Sequence, residues 1–311
     1  MSRGRNSTIV RARNRALGAS FRYAEHLLPG PAGRLARDLW FTAPPRMAEL
    51  PVPDGGESFE VEAQGHVVRG RVWGDGVDSA RPLKTVYLVH GWGGRGSQFG
   101  AMVEPLLESG HRVVMLDAPA HGDSDHGPAG PRRTNGVEFA KALDAVFCRF
   151  GPAEAVVAHS LGTIATYLAL RFGWLGTNRL ILIAPMVESQ SLFDQFQAAL
   201  GFGARTRRAF DRSILEWVGI PVAEFDARFQ AAHVHPVPTL VITDRGDRQT
   251  PYDDVADFAD SIGAPLVTTD GLGHRKILRD REVIGHVVDF VEGRGIGGRR
   301  VSDSSDGSSV A

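Results

Sequence analysis

The chain has 311 residues, 42% of them hydrophobic and 23% charged, with 35 basic against 36 acidic side chains. A chain of this size and composition buries a core without disulfides, and its charge balance excludes both wholesale disorder and a chain-wide field for nucleic acid. Its one cysteine, Cys148, excludes an internal disulfide and any Cys-x-x-Cys metal spacing.

Charge is unevenly spread. Residues 1–46 hold nine arginines against Glu25 and Asp38, a local excess of +7 that leaves −8 for the remainder. Arginines recur as far as Arg22, followed by Glu25 and His26, which breaks any export-signal pattern. The longest uncharged stretch, Ala155 to Leu170, is 16 residues, short of the ~20 a spanning helix needs. A cytoplasmic location is expected. Within this first zone, residues 1–50, Leu17, Phe21, Leu27 and Leu28 lie at helical spacing up to Pro29-Gly30-Pro31. A second helix is expected from Gly33 to Trp40, ended by Pro44-Pro45. The zone reads as a basic extension whose two helices pack on the outside of a domain, with a membrane-surface or partner-binding role as the minor alternative.

Next, Ser58–Ala63 and Val67–Trp73 alternate about Gln64-Gly65-His66 as a hairpin does. Continuous apolar runs follow at Thr85–His90, Val113–Asp117, Ala155–His159, Leu180–Ala184, Thr239–Thr243 and Leu266–Thr269. Such runs suit strands buried on both faces of a parallel sheet. Helices are expected at 97–109, 135–149, 161–172, 252–261 and 280–292, giving an α/β fold with helices on both faces of a mostly parallel sheet. The interval 186–236 has no strand-like run but carries helical pieces and several phenylalanines. It reads as a helical cap inserted into a core of residues 51–185 and 237–292. Residues 293–311, rich in Gly and Arg and then Ser and Asp, read as a disordered tail.

Chemistry-bearing residues collect where runs end, as expected at the carboxyl edge of such a sheet. Ala158-His159-Ser160-Leu161-Gly162 follows one run and opens a helix. His90-Gly91-Trp92-Gly93-Gly94 closes another, and no Lys-Ser/Thr pair follows it to make a phosphate loop. Thr243-Asp244-Arg245-Gly246-Asp247 and Gly271-Leu272-Gly273-His274 end the last two. His233 and His235 lack further ligands in reach of their spacing, so no metal site is assigned. Cys148 reads as a small buried hydrophobe on a helix.

Together these segments resemble the α/β-hydrolase family over residues 57–292. Ala158–Gly162 is similar to its Gly-x-Ser-x-Gly nucleophile elbow, with alanine in the first glycine position. The resemblance implies Ser160 as nucleophile, Asp247 as the orienting acid with Asp244 as its competitor, and His274 as the base, in the family's chain order. It implies the backbone amides of Trp92 and Leu161 as oxyanion donors. Asp117-Ala118-Pro119-Ala120-His121-Gly122-Asp123-Ser124 resembles the family's turn after its fourth strand, with His121 in a glycine position and no catalytic role. The activity implied is that of a serine hydrolase of a small-molecule carboxylic ester or thioester, needing neither cofactor nor metal and binding no nucleic acid. Carbon–carbon bond hydrolysis, acyl transfer and non-catalytic ligand or partner binding are the alternatives. Oligomeric state is left open.

Overall fold

In a computed structural model the described residues are 17–74 and 83–294. Residues 1–16 of the basic extension and 295–311 of the expected tail lie outside them. The continuous apolar runs become strands of one eight-stranded sheet, the last of them, Leu266–Thr269, a half-buried edge strand. Its strands are β1 (Glu57–Ala63), β2 (His66–Trp73), β3 (Lys84–Val89), β4 (His111–Asp117), β5 (Ala153–His159), β6 (Leu180–Ile183), β7 (Thr239–Asp244) and β8 (Leu266–Thr269). Their order is β1-β2-β4-β3-β5-β6-β7-β8. The pairs β1–β2 and β2–β4 are antiparallel and the rest parallel. Ala63 pairs with His66, so the hairpin turns through Gln64 and Gly65 alone, with φ of 54° and 78°. Two positive φ values in a two-residue loop match the right-handed twist of the strands they join.

Side chains alternate across the sheet, and so do its two cores. Val86 and Leu88 of β3 face one layer, Tyr87 and Val89 the other. Numbered in chain order, the helices begin with α1 (17–27) and α2 (Pro29–Trp40). The first layer is covered by α3 (Gly100–Glu108) and α11 (Arg281–Val291). The second is covered by α4 (Gly136–Phe150), α5 (Leu161–Arg171) and α9 (Tyr252–Ser261). Between β6 and β7 stand α6 (Gln190–Leu200), α7 (Ala204–Val218) and α8 (Ala227–Ala231), and α10 (Gly273–Lys276) follows β8.

Two local expectations are corrected. The helix expected from Gly33 begins at Pro29, because prolines are accommodated in a first turn, where their missing N–H has no helical partner anyway. Cys148 is exposed, not buried. α4 turns Leu143, Val146 and Phe150 inward, which places Cys148 on its outer side, within 3.6 Å of Asp144 Oδ1.

The N-terminal helices are joined to the helices between β6 and β7. α2 lies so close to α7 that a Cβ on Gly33 would stand 2.6 Å from the Ala209 carbonyl carbon and the Phe210 nitrogen. The Glu25 carboxylate accepts hydrogen bonds from the Gly203, Arg205 and Thr206 amides, capping α7 from a distant part of the chain. Trp40 packs its ring 4.6 Å from Phe193 and 5.0 Å from Phe196, and Phe41 meets Trp217 at 4.9 Å. The atoms against Gly33 are the backbone of Ala209 and Phe210 and the Ala209 Cβ, so no flexible side chain can move aside for a larger residue. Gly33→Val is expected to force α2 off α7 and to destabilise the protein by about 1–3 kcal/mol, read as a lower urea midpoint. An unchanged midpoint would show that this contact does not hold the helix.

Candidate active site

Ser160 sits between the end of β5 and the start of α5 with φ 54° and ψ −121°, a backbone conformation that costs a non-glycine residue about 1–3 kcal/mol. The turn is fixed from both sides. The Ser160 amide donates to the Ile183 carbonyl at 3.2 Å, and the Ser160 carbonyl accepts from Thr163 and Met186 at 3.0 and 3.2 Å. Two glycines make the crossing possible. A Cβ on Gly162 would lie 2.5 Å from the Val89 carbonyl oxygen, and one on Gly91 would lie 2.7 Å from Ser160 Cβ. The amides of Trp92 and Leu161 donate to no protein acceptor among the described residues.

Two histidines fix the loop that carries Trp92. His90 Nε2 accepts the Ala118 amide at 2.9 Å, so its Nδ1 bears the proton and donates to the Gly91 carbonyl at 2.8 Å. His121 Nε2 accepts the Gly93 amide at 2.9 Å, and its Nδ1 donates to the Pro119 carbonyl at 3.0 Å. The rings lie 5.3 Å apart, both packed on Phe139. Burial lowers His90 to about 4 and His121 to about 3, so both are neutral at pH 7. Asp117 ties the neighbouring turn to the same loop, accepting the Gly96 amide at 2.7 Å and the Asp123 amide at 2.8 Å.

Across the sheet edge the two carboxylates after β7 divide their work. Asp244 accepts the Gly246 and Leu272 amides and the Thr269 hydroxyl, all within the loops. Asp247 reaches the histidine, its Oδ2 accepting from His274 Nδ1 at 2.7 Å and from Thr250 Oγ1 at 2.8 Å. Burial pushes the Asp247 carboxyl up, but hydrogen bonds from His274, the Gln249 amide and Thr250 outweigh it and hold it below its usual range. With Nδ1 bonded to a carboxylate, His274 keeps Nε2 as the free ring nitrogen.

Trp92, Ser160 and Leu161 open onto one cavity of about 510 Å³, in the size range of small-molecule sites. Its apolar wall includes Trp40 and Phe41 from the N-terminal segment and Met186, Phe193, Phe225 and Val255. Glu188, Arg248 and Asp254 also line it. His274 is not part of this lining; its ring lies 4.6 Å from that of His159. His159 Nε2 donates to the His274 carbonyl at 2.8 Å and so ties the histidine loop to the residue preceding Ser160. The structure thus brings Asp247 to His274, and Ser160 to Trp92 and Leu161. It forms no hydrogen bond between the Ser160 hydroxyl and His274. The positioning parts played by His90, His121 and His159 were not read from the sequence, where the only signal was a histidine at His121 in a turn position that favours glycine.

A sequence model described as the Alpha/beta hydrolase family matches residues 86–295. The chain belongs to that family. Among curated proteins, the pimeloyl-[acyl-carrier protein] methyl ester esterase of Neisseria meningitidis is 34% identical over 90 residues, 29% of this chain and 32% of that one. Methylesterase 9 of Arabidopsis thaliana is 40% identical over 94 residues, 28% of this chain and 34% of that one. The matches therefore span about a third of these relatives. Of solved structures, an esterase of Pyrococcus furiosus superposes with a TM-score of 0.60 at 18% identity, covering 81% of this chain and 99% of that one. The thioesterase domain from the curacin biosynthetic pathway gives 0.56 at 17% identity, covering 77% and 100%. At such identities the likeness is one of fold.

The buried histidines and the buried Glu138 give the stability opposite dependences on pH. His90, His121 and His159 are lowered by burial from 6.5 to about 4, 3 and 3. The unfolded chain protonates them first, so their contribution is complete above pH 6.5 and is lost as pH falls toward 4 and 3. Glu138 opposes them. Burial raises it from 4.5 to about 7, so its contribution is complete below 4.5 and is lost as pH rises through 7. Three groups outweigh one, and the melting temperature is expected to fall between pH 6.5 and 4, more steeply in Glu138→Gln. A flat profile would contradict the neutral-histidine arrangement.

Proposed function

We propose that the protein is a serine hydrolase of carboxylic esters or thioesters that works through an acyl-enzyme on Ser160. In this reading the Ser160 hydroxyl attacks the acyl carbonyl and His274 Nε2 takes its proton, later returning one to the leaving group. Asp247 keeps the proton of the imidazole on Nδ1 and stabilises the imidazolium that forms, while the amides of Trp92 and Leu161 receive the oxyanion. The observation that carries the proposal is the 2.7 Å bond from His274 Nδ1 to a buried, tightly hydrogen-bonded carboxylate, made at the strand edge where Ser160 is presented. It supports one tautomer of His274, the one a general base needs. In this reading the hydrogen bond between Ser160 and His274 forms on substrate binding, since such bonds commonly tighten only in the Michaelis complex.

The cavity suits an acyl group that is mainly apolar, and the ester-cleaving names of the curated relatives point the same way. We assign residues 51–185 and 237–292 to the catalytic core. The cap is assigned to residues 186–236 together with α1 and α2, whose Trp40 and Phe41 complete the acyl wall.

A panel of p-nitrophenyl esters, thioesters and lactones of graded acyl length tests the proposal. Turnover of at least one ester series is expected, and Asp247→Asn should lower its kcat by about 10⁴-fold, because the wrong imidazole tautomer is then favoured. Absence of turnover across the panel, or an Asp247→Asn enzyme as active as the native one, would contradict it.

A further inference from the structure

α2 is turned inside out for a helix on a globular surface. Its buried face is Ala32, Gly33 and Ala36, the small residues that let it approach α7, while Leu35 and Leu39 project outward at 49% and 39% exposure. On α1 and its junction with α2, Tyr23, Leu27 and Leu28 are 71%, 61% and 57% exposed. Five of the seven exposed large hydrophobic side chains among the described residues thus fall between 23 and 39. Single exposed leucines need no explanation, but a concentration of them on one pair of helices does.

These helices, and α7 against which α2 packs, also carry free positive charge. Arg22 and Arg34 on these helices, and Arg208 and Arg212 on α7, are exposed and form no ion pair among the described residues. The acids of the same helices are mostly engaged: Glu25 on the α7 amides, Asp38 by Arg37 and Arg133, Asp211 by Arg207. Glu216, exposed on α7, is the exception.

We infer that the outer face of α1 and α2, with the free arginines of α7, is a docking surface for an anionic lipid membrane. Leucine and tyrosine side chains would enter the headgroup and acyl boundary while the guanidinium groups meet lipid phosphates, the arrangement of a helix lying in an interface. No helix of the described residues is long and apolar enough to cross a membrane, so the contact is one of surface. Residues 1–16 add five arginines and no acid, and the same face of a second copy would meet it with like charge. α2 also ends at Trp40, next to Phe41, both in the wall of the cavity, so docking brings that wall toward the lipid.

Co-sedimentation of the full chain with vesicles tests this, and because it reads binding without turnover its outcome is separable from that of the proposed chemistry. Binding is expected to vesicles of phosphatidylcholine and phosphatidylglycerol at roughly three to one, to be weak on phosphatidylcholine alone, and to fall with added salt. Arg208→Gln with Arg212→Gln should weaken binding about 25-fold, at about fivefold per arginine. Leu35→Ser with Leu39→Ser should weaken it about tenfold, with circular dichroism unchanged because both positions are on the surface. Equal binding to both vesicle types, or native affinity in both double variants, would overturn the inference. So would a concentration-dependent dimer or capture of an acidic protein, in either case without vesicle binding.

Discussion

The strained turn at Ser160 is the constraint around which the rest is arranged. A serine at φ 54° is retained only where its surroundings leave no alternative, and here three backbone hydrogen bonds and two glycine contacts do so. Gly162 lets α5 start directly over the end of β3, and Gly91 lets the loop after β3 pass against the serine itself. The loop that continues into Trp92 and the first turn of α5 thus line one cavity with Ser160. Parallel strand order then delivers the loops after β7 and β8 to the same edge, where Asp247 and His274 meet.

Rigidity at this edge comes from neutral imidazoles used as brackets. An imidazole with one protonated and one bare nitrogen joins an amide to a carbonyl, and His90 and His121 each do so across loops 28 residues apart or within them. His159 performs a related service between the elbow and the His274 backbone, although its Nδ1 finds no partner. Desolvation keeps all three uncharged, so the loops they join are held without introducing a buried charge. The cavity in front of them is closed partly by Trp40 and Phe41, so the basic N-terminal helices contribute to the pocket as well as to the surface.

The inner strands were legible because strands buried on both faces are written as unbroken apolar runs, and β5, β6 and β7 lie where Ala155–His159, Leu180–Ala184 and Thr239–Thr243 predict them. Ser160, Asp247 and His274 were nameable as candidates from motif register, and of the two carboxylates Asp247 is the one that touches His274, at 2.7 Å. Other features were not legible for physical reasons. Pro29 and Pro31 read as a break, yet a helix tolerates proline where it begins. Cys148 read as buried because its neighbours are apolar, but one step along α4 rotates a side chain by about 100°, enough to face solvent. The roles of His90, His121 and His159, and the reach of Trp40 into the cavity, depend on contacts between distant segments that no local pattern encodes.

The central claim is that the strained serine is the nucleophile and that His274 activates it. Treatment with a fluorophosphonate, followed by intact-mass measurement and peptide mapping, tests it most directly. The account predicts a single adduct on Ser160, absent in Ser160→Ala and formed far more slowly in His274→Ala. An adduct that persists in Ser160→Ala, or a native protein that acquires none, would contradict it.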